Sequence, residues 1–240
     1  MSWHHWSPAS PGREPIVTAQ PHMSHRPERV GILGGTFDPI HVAHLAFAVQ
    51  ARHQLALDRV LFMVANVPWQ KAAVRNVSSA EDRLAMVEAA VAGHDGLEAS
   101  RIEIDRGGDS YTADTLDALR TPDRELFLII GSDLVADLTT WKRWQEIPPL
   151  CTLAVAQRPG EKDTGELTPG WRSVAIRLPA LELSSTELRA MVGEGRPVDF
   201  LVPAETIAVI RDRWLYRVAP AVSQPVPRAA PLPAVTPERP

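Results

Sequence analysis

The fold of this chain is decided by the stretch Val30-Gly-Ile-Leu-Gly-Gly-Thr-Phe-Asp-Pro-Ile-His-Val-Ala-His-Leu45. It opens with a short apolar run of the kind found in buried parallel strands, and the paired Gly34 and Gly35 break this run where the backbone must turn sharply. Pro39 suits the first turn of a helix, so we expect a helix to begin around residues 38–40. The stretch therefore predicts a strand, a tight turn and a helix.

Two histidines follow this turn. In the predicted helix, His41 and His44 share one face beside the turn. The N-terminus of a helix presents unpaired N–H groups and the positive end of the helix dipole, so an anion is its natural ligand. Because the two imidazoles add donors for phosphate oxygens, the stretch predicts a phosphate site.

Other motifs that bind phosphate or metal fit this stretch less well. Gly31, Gly34 and Gly35 do not form the G-x-G-x-x-G fingerprint of dinucleotide-binding folds, and no Gly-Lys-Ser/Thr of a P-loop follows them. The two histidines lack the glutamate of an H-E-x-x-H site and any cysteine partner, which argues against zinc.

Strands and helices alternate along the rest of the chain. Further strands are predicted at residues 59–65, 97–105, 125–130, 152–156 and 174–178. The run at 125–130 is the most hydrophobic, which predicts a central position in the sheet.

Capping residues and helical periodicity predict helices after several of these strands. A helix over residues 79–91 begins at the capping Ser79, and a last helix over 202–215 places Ile207, Ile210 and Trp214 on one stripe. The alternation predicts one doubly wound parallel α/β domain with its site at the carboxyl edge of the sheet.

A second anion site is predicted in Leu183-Ser-Ser-Thr-Glu-Leu-Arg189. Ser184 and Glu187 form a capping box, so the hydroxyls and backbone N–H groups of the following residues lie at a helix N-terminus. Arg189 lies one turn further along this helix.

Two loops that leave strand ends supply further candidates. Lys71 follows the strand at 59–65 and supplies a positive charge, although a loop lysine is more often a solvated surface residue. Gly131 and Asp133 follow the central strand, where a carboxylate commonly accepts hydrogen bonds from ribose hydroxyls. The alternative role for Asp133 is to cap the helix that follows.

Trp141 and Trp144 lie in the next helical segment. Tryptophans usually belong to the core, which is the role we expect for Trp144, whereas an aromatic side chain beside a ligand site can stack on a planar ring.

Composition limits the classes of function. The 240 residues are 45% hydrophobic and 22% charged, which suits one globular domain of about 190 residues with tails. A net charge of −4 gives no support to a general nucleic-acid or membrane surface. The single cysteine, Cys151, excludes an internal disulfide and suits a reducing compartment. No apolar run is long enough to cross a membrane.

We expect a disordered leader over residues 1–27, a folded domain over 28–216 and a proline-rich disordered tail over 217–240. Met23 lies shortly before the first strand, so the sequence leaves open whether Met1 or Met23 is the start.

The stretch Gly34-Gly-Thr-Phe-Asp-Pro-Ile-His-Val-Ala-His44 resembles the signature of the nucleotidylyltransferase superfamily. Ala43 stands where the superfamily pattern His-x-Gly-His has glycine. Ser110-Tyr-Thr-Ala-Asp-Thr-Leu116 resembles the Ser-Tyr-Thr-x-Asp-Thr-Leu of bacterial nicotinate-nucleotide adenylyltransferases, and residues 183–189 resemble the second superfamily motif, Ile-Ser-Ser-Thr/Ser-x-x-Arg. The resemblance covers about residues 28–216.

The resemblance implies a Rossmann-like fold and the transfer of AMP from ATP to nicotinate mononucleotide, giving deamido-NAD and pyrophosphate in NAD biosynthesis. It implies Mg²⁺ bound mainly through the ATP phosphates, with no metal ligands from the protein. The residues implied as catalytic are His41, His44 and Arg189; those implied for ATP are Gly34, Gly35, Thr36, Phe37, Gly131, Asp133, Ser185 and Thr186; those implied for the acceptor are Lys71, Thr112 and Trp141.

Two alternatives remain open. The acceptor could be nicotinamide mononucleotide or another phosphate compound such as phosphopantetheine, although the match at residues 110–116 argues against the latter. From another class, the domain could be a nucleotide-binding regulator without catalysis. We expect a cytoplasmic protein that binds neither nucleic acid nor membrane, and the sequence leaves open whether it forms a homo-oligomer.

Overall fold

The computed structural model describes residues 26–68, 77–157, 170–179 and 181–217. Within these residues one six-stranded sheet has the strand order β3-β2-β1-β4-β5-β6, and all of its strand pairs are parallel. The strands are β1 (Glu28–Gly35), β2 (Arg59–Val64), β3 (Leu97–Ser100), β4 (Arg124–Gly131), β5 (Thr152–Gln157) and β6 (Ser173–Arg177). This order confirms the predicted doubly wound parallel α/β domain.

Helices connect the strands. The α-helices are α1 (Val42–Gln54), α2 (Ala80–Val91), α3 (Ile102–Arg106), α4 (Thr112–Leu119), α5 (Ser185–Gly193) and α6 (Ala204–Asp212). Two 3-10 helices, Ser132–Thr140 and Trp144–Glu146, lie between β4 and β5. The capping role predicted for Ser79 is confirmed, because its hydroxyl accepts a hydrogen bond from the N–H of Asp82 at the start of α2.

Two hydrophobic cores cover the two faces of the sheet. Leu33 faces the core that includes α1, α2, α5 and α6, whereas the preceding Ile32 faces the core that includes α4 and the 3-10 segment. Neighbouring residues of a strand point to opposite faces, so a strand buried on both faces is apolar throughout. Residues 126–130 of β4 are all buried, and β4 lies between β1 and β5, which confirms the predicted central strand.

The strand order reverses between β1 and β4. These two strands pair in parallel with Leu33 opposite Ile129, so their carboxyl ends lie side by side. Open α/β sheets bind ligands in the crevice beyond such a switch point. The fold therefore directs the search for a site to the residues that follow Gly35 and Gly131.

The start of α1 differs from the sequence prediction. The helix begins at Val42 with His41 as its N-cap residue, and Pro39 lies before the helix rather than in its first turn. His41 is extended, with φ −147° and ψ 170°, so the residues between Gly35 and the helix form a longer turn than expected.

The strand predicted over residues 97–105 is wrong beyond Ser100. The chain turns into α3, where Glu103 is 7% exposed and its carboxylate accepts a hydrogen bond of 2.6 Å from the hydroxyl of Thr115. The alternation of Ile102 and Ile104 with charged residues suggested a strand, but this buried polar contact turns the charged residue between them inward.

The stripe predicted for the last helix is also wrong at its end. α6 stops at Asp212, and Trp214 adopts a left-handed backbone with φ 57° and is 68% exposed. This conformation ends the helical repeat, so Leu215 and Tyr216, rather than Trp214, pack against the core.

Several predictions fall on residues that the structure does not describe. Lys71, most of the leader and nearly all of the tail lie outside the described residues, so the domain boundaries stay predictions. Among the described helices, none combines the length and the apolar character needed to cross a membrane.

Candidate active site

A cavity of about 770 Å³ lies at the carboxyl edge of the sheet, above β1 and β4. Except for Lys71, which lies outside the described residues, every residue that the sequence predicted for the site lines this cavity. They are Gly34, Gly35, Thr36, Phe37, His41, His44, Thr112, Gly131, Asp133, Trp141, Ser185, Thr186 and Arg189. The fold thus brings together residues that are far apart in the sequence, while their roles toward a ligand stay predictions.

Gly34 and Gly35 differ in the space around them. A methyl group on Gly34 would meet no atom within 4 Å, which leaves space for a ligand to approach the backbone. A methyl group on Gly35 would come within 2.7 Å of the Phe37 ring. The absence of a side chain at Gly35 therefore admits the Phe37 ring, which is 2% exposed and contacts the imidazole of His44 edge-on at 5.1 Å between centroids.

The backbone N–H of His41 donates to Nδ1 of His44 over 3.3 Å. This contact assigns the proton of a neutral His44 to Nε2. His41 is 4% exposed, and its burial lowers the pKa of its imidazole to about 4, so His41 is neutral at pH 7. The His41 Nδ1 is buried without a hydrogen-bond partner among the described residues. The pair therefore offers hydrogen bonds rather than two full charges.

The second motif is bonded directly to the turn after β1. The hydroxyl of Ser184 caps α5 by accepting from the N–H of Glu187 at 3.2 Å, which confirms the capping role of Ser184 but not the reciprocal contact from Glu187 in the predicted capping box. The hydroxyl of Ser185 donates to the carbonyl of Pro39 at 2.9 Å, and the Arg189 guanidinium donates to the carbonyl of Asp38 at 2.7 Å. The two predicted anion motifs therefore form one continuous site.

Three helix N-termini meet at this cavity. Its lining includes His41 before α1, Thr112 at the start of α4, and Ser184 and Ser185 at the start of α5. Each terminus contributes the positive end of a helix dipole, although some first-turn N–H groups are already paired: that of Val42 with the carbonyl of Leu201 and that of Glu187 with the Ser184 hydroxyl. A chain with a net charge of −4 thus builds a local site that suits a ligand with several negative groups.

Asp133 lies where a sugar contact was predicted. A methyl group on Gly131 would collide with Oδ1 of Asp133, so the carboxylate folds back over the end of β4. The 3-10 helix that follows has Gly131 as its N-cap residue and shows no capping side-chain hydrogen bond. The alternative reading of Asp133 as a helix cap is therefore wrong, and its carboxylate is exposed in the cavity lining.

The two tryptophans occupy different environments. Trp141 lines the cavity and packs against the second core, and its buried indole N–H has no hydrogen-bond partner among the described residues. Trp144 is half-buried and belongs to neither core, so the prediction of a core position is wrong. Arg143 between them has a left-handed backbone with φ 57°, which starts a new turn, and Ile147 takes the fully buried position.

The Ser110 motif joins the exit of β2 to the start of α4. The hydroxyl of Ser110 accepts from the N–H of Asn66 at 2.8 Å, and its own N–H donates to the carbonyl of Val67 at 3.2 Å. The serine of this motif therefore holds the backbone that leads toward the loop containing Lys71.

The sequence patterns did not predict a role for three residues in and beside the site: Asp38, Arg83 and Tyr216. Arg83 is 1% exposed and donates hydrogen bonds to four backbone carbonyls, and Tyr216 donates to the buried carboxylate of Asp38. A signal existed for Arg83, because it falls on the same helical stripe as Met86 and Ala90. Nothing in the local sequence marks Tyr216.

Comparison with known proteins gives concordant results. The sequence profile of the cytidylyltransferase-like family matches residues 32–191. A protein named probable nicotinate-nucleotide adenylyltransferase from Corynebacterium glutamicum is 41% identical over 197 residues, which is 80% of this chain and 90% of that protein. A protein of the same name from Streptomyces coelicolor is 43% identical over 187 residues, which is 77% of this chain and 99% of that protein.

Solved structures share the fold at low identity. The nicotinic acid mononucleotide adenylyltransferase of Plasmodium falciparum complexed with NaAD superimposes with a TM-score of 0.65 at 18% identity, over 79% of this chain and 97% of that one. A second structure of that enzyme, complexed with APC, gives a TM-score of 0.62 at the same identity and coverage.

Proposed function

Because this chain belongs to the cytidylyltransferase-like family, and within it to the nicotinate-nucleotide adenylyltransferases, we propose that it transfers the adenylyl group of ATP to nicotinate mononucleotide. The products are deamido-NAD and pyrophosphate. The observation that carries this proposal is the convergence of three helix N-termini, His44 and Arg189 on one cavity. A cavity of about 770 Å³ also suits ligands of nucleotide size.

In the proposed reaction, an oxygen of the mononucleotide phosphate attacks the α-phosphorus of ATP. The new P–O bond forms as the bond from the α-phosphorus to the bridging oxygen breaks, and the electron pair leaves with pyrophosphate. The attacking phosphate is already an anion, so no general base has to remove a proton from it. The protein's task is to align the two phosphates and to stabilise charge that moves onto the leaving group.

We assign the triphosphate to the turn after β1 and to the start of α5. Thr36, His41, His44 and Arg189 supply the donors, with Gly34 giving the backbone room for close approach. A neutral His44 whose proton lies on Nε2 can donate to a phosphate oxygen, and this bond strengthens as negative charge grows on the leaving group.

The nucleoside and acceptor parts fall on the opposite side of the cavity. The exposed carboxylate of Asp133 suits a ribose hydroxyl, and the start of α4 at Thr112 offers N–H groups to an anionic acceptor. Trp141 can stack on the pyridine ring. The carboxylate of nicotinate would accept hydrogen bonds from these N–H donors. The amide of nicotinamide would leave part of the donors unpaired, so the site favours nicotinate mononucleotide as the acceptor.

We infer that Mg²⁺ would be held mainly by the ATP phosphates. Among the described residues no group of three or more His, Cys, Asp or Glu side chains could hold a metal ion. Mg²⁺ commonly keeps several waters and binds substrate phosphates with few protein carboxylates. When bound, Mg²⁺ would supply positive charge that offsets the negative charge of the pyrophosphate. The chain has a single cysteine, which suits a reducing compartment, and we infer a cytoplasmic location for the reaction.

Pyrophosphate release with ATP and a panel of acceptors tests the proposal. We expect kcat/KM for nicotinate mononucleotide to exceed that for nicotinamide mononucleotide and for phosphopantetheine by at least about tenfold. A higher kcat/KM with either of the other acceptors would identify a different adenylyltransferase. Calorimetric binding of ATP without pyrophosphate release from any acceptor would identify a non-catalytic regulator.

A further inference from the structure

The carboxylate of Asp38 is committed to the protein rather than to a ligand. Asp38 is 2% exposed, its Oδ1 accepts from the Tyr216 hydroxyl at 2.6 Å, and its Oδ2 accepts from the N–H of Ser78 at 3.1 Å. The backbone carbonyl of the same residue accepts from Arg189 at 2.7 Å. Asp38 therefore joins the turn after β1 to the start of α2, to the second motif and to the end of the described chain.

Arg83 also contacts the turn after β1, and it does so through backbone carbonyls. Its guanidinium donates to the carbonyls of Thr36 at 3.0 Å, Ala65 at 2.7 Å, Asn66 at 3.0 Å and Ser78 at 3.0 Å. These four carbonyls belong to three segments: the turn after β1, the exit of β2 and the residues before α2.

A buried guanidinium is costly to desolvate, and carbonyl oxygens satisfy its hydrogen bonds without neutralising its charge. Burial lowers the pKa of the Arg83 guanidinium, and the charge of the nearby Asp38 carboxylate opposes part of this shift. Asp38 and Arg83 thus hold different parts of one turn, and both are almost completely buried.

Tyr216 contacts Asp38 although it lies 178 residues later in the sequence. It follows α6, and burial together with the Asp38 charge raises the pKa of its phenol, so the hydroxyl stays protonated and donates. Its ring packs against the first core, which fixes the direction of the hydrogen bond.

We propose that Asp38, Arg83 and Tyr216 form a buried positioning unit that holds the turn after β1 in register with Arg189, so that both anion motifs contact one triphosphate. The unit acts through Thr36, whose carbonyl Arg83 binds, and through Arg189, which binds the carbonyl of Asp38. Because Thr36 and Asp38 lie in the same turn, loss of either contact would shift donors of both anion motifs, and a misplacement of about 1 Å can cost about 10²-fold in rate. The inference rests on the proposed function in one respect: the proposed function identifies ATP as the anion that both motifs bind.

The test compares Tyr216→Phe with Trp214→Phe. Tyr216→Phe removes one hydroxyl and keeps the packed ring, whereas Trp214, 68% exposed and two residues away, is the matched control. We expect Tyr216→Phe to raise the calorimetric Kd for ATP and to lower kcat, each by at least about fivefold, while the KM for the acceptor stays within about twofold. Simple destabilisation would reduce the active fraction without raising the Kd for ATP.

A second pair of variants tests the other arm. Arg83→Lys keeps the charge but cannot reach carbonyls of three segments at once, and the exposed Arg101→Lys is its control. We expect at least a fivefold rise in the Kd for ATP with Arg83→Lys and none with Arg101→Lys.

An ATP Kd within twofold of the wild type in both Tyr216→Phe and Arg83→Lys would overturn the inference. The inference would also be overturned if each variant changed the Kd for ATP no more than its control. Failure of both variants to fold would overturn it too, because the unit would then be purely structural. Absence of pyrophosphate release from the wild type would count against the proposed function alone, because ATP binding is measured without turnover.

Discussion

The imidazole rings of His41 and His44 stack with their centroids 3.7 Å apart and their planes 25° from parallel. The backbone N–H of His41 donates to Nδ1 of His44, and Phe37 contacts the same His44 ring edge-on. Because His41 is buried with a pKa of about 4, it stays neutral beside His44 at pH 7. The pair is therefore asymmetric: the His41 ring is almost completely buried at the cavity wall, and its backbone N–H orients the more exposed His44.

We expect His44→Ala to reduce kcat more than it raises the KM for either substrate. A donor that strengthens as charge develops on pyrophosphate contributes in the transition state, and loss of one such donor costs about 2.7–4 kcal/mol, or about 10²–10³-fold in kcat. Steady-state pyrophosphate release measures the effect, with the exposed His53→Ala on the same helix as control. An unchanged kcat in His44→Ala would refute the assignment.

The burial of His41 predicts a loss of stability in mild acid. Its pKa is about 4 in the folded protein and about 6.5 in an unfolded chain, so between these values the unfolded state binds a proton that the folded state does not. The contribution is complete above about pH 6.5 and is lost as the pH falls toward 4, by up to about 3 kcal/mol. Urea unfolding of the wild type and of His41→Gln at pH 7 and pH 5 measures this.

At pH 5 we expect the wild type to lose about 2 kcal/mol more than His41→Gln, since glutamine does not titrate and the other groups are common to both proteins. Equal pH dependence of the two free energies of unfolding would show that His41 is not the group responsible.

Trp141→Ala should raise the KM for nicotinate mononucleotide by about tenfold or more, because removal of a stacked aromatic ring costs about 1–3 kcal/mol. The KM for ATP should stay within about twofold. Trp144→Ala is the control, because Trp144 lies outside both the cavity lining and the cores. Selective loss of acceptor binding in Trp144→Ala alone would reverse the roles of the two residues.

Removal of residues 1–22 and 219–240 should leave kcat/KM and Tm nearly unchanged. Neither segment has the apolar periodicity of a core element, and both are rich in proline. Thermal unfolding of the trimmed chain, 23–218, measures the effect. A fall in Tm of more than a few degrees would show that one of the removed segments packs on the domain.

Local sequence patterns predicted those parts of the fold that depend on near neighbours. The caps at Ser79 and Ser184 involve residues three positions away, and the alternating faces of β4 follow from its own apolar run. Patterns failed where a distant contact or a special backbone angle decided the outcome. Glu103 turns inward toward Thr115, and the left-handed residues Arg143 and Trp214 end the repeats that the spacing suggested.

By itself, then, the sequence determined the order of strand, turn and helix at residues 30–45, the alternation that gives a parallel sheet, and thirteen of the residues that line the cavity. Only the tertiary structure decided how the turn is held. Arg189 binds a carbonyl 151 residues away, and Tyr216 binds a carboxylate 178 residues away. Caps and periodicity act within one or two turns of a helix, whereas these contacts exist only because the sheet order brings distant segments to one edge.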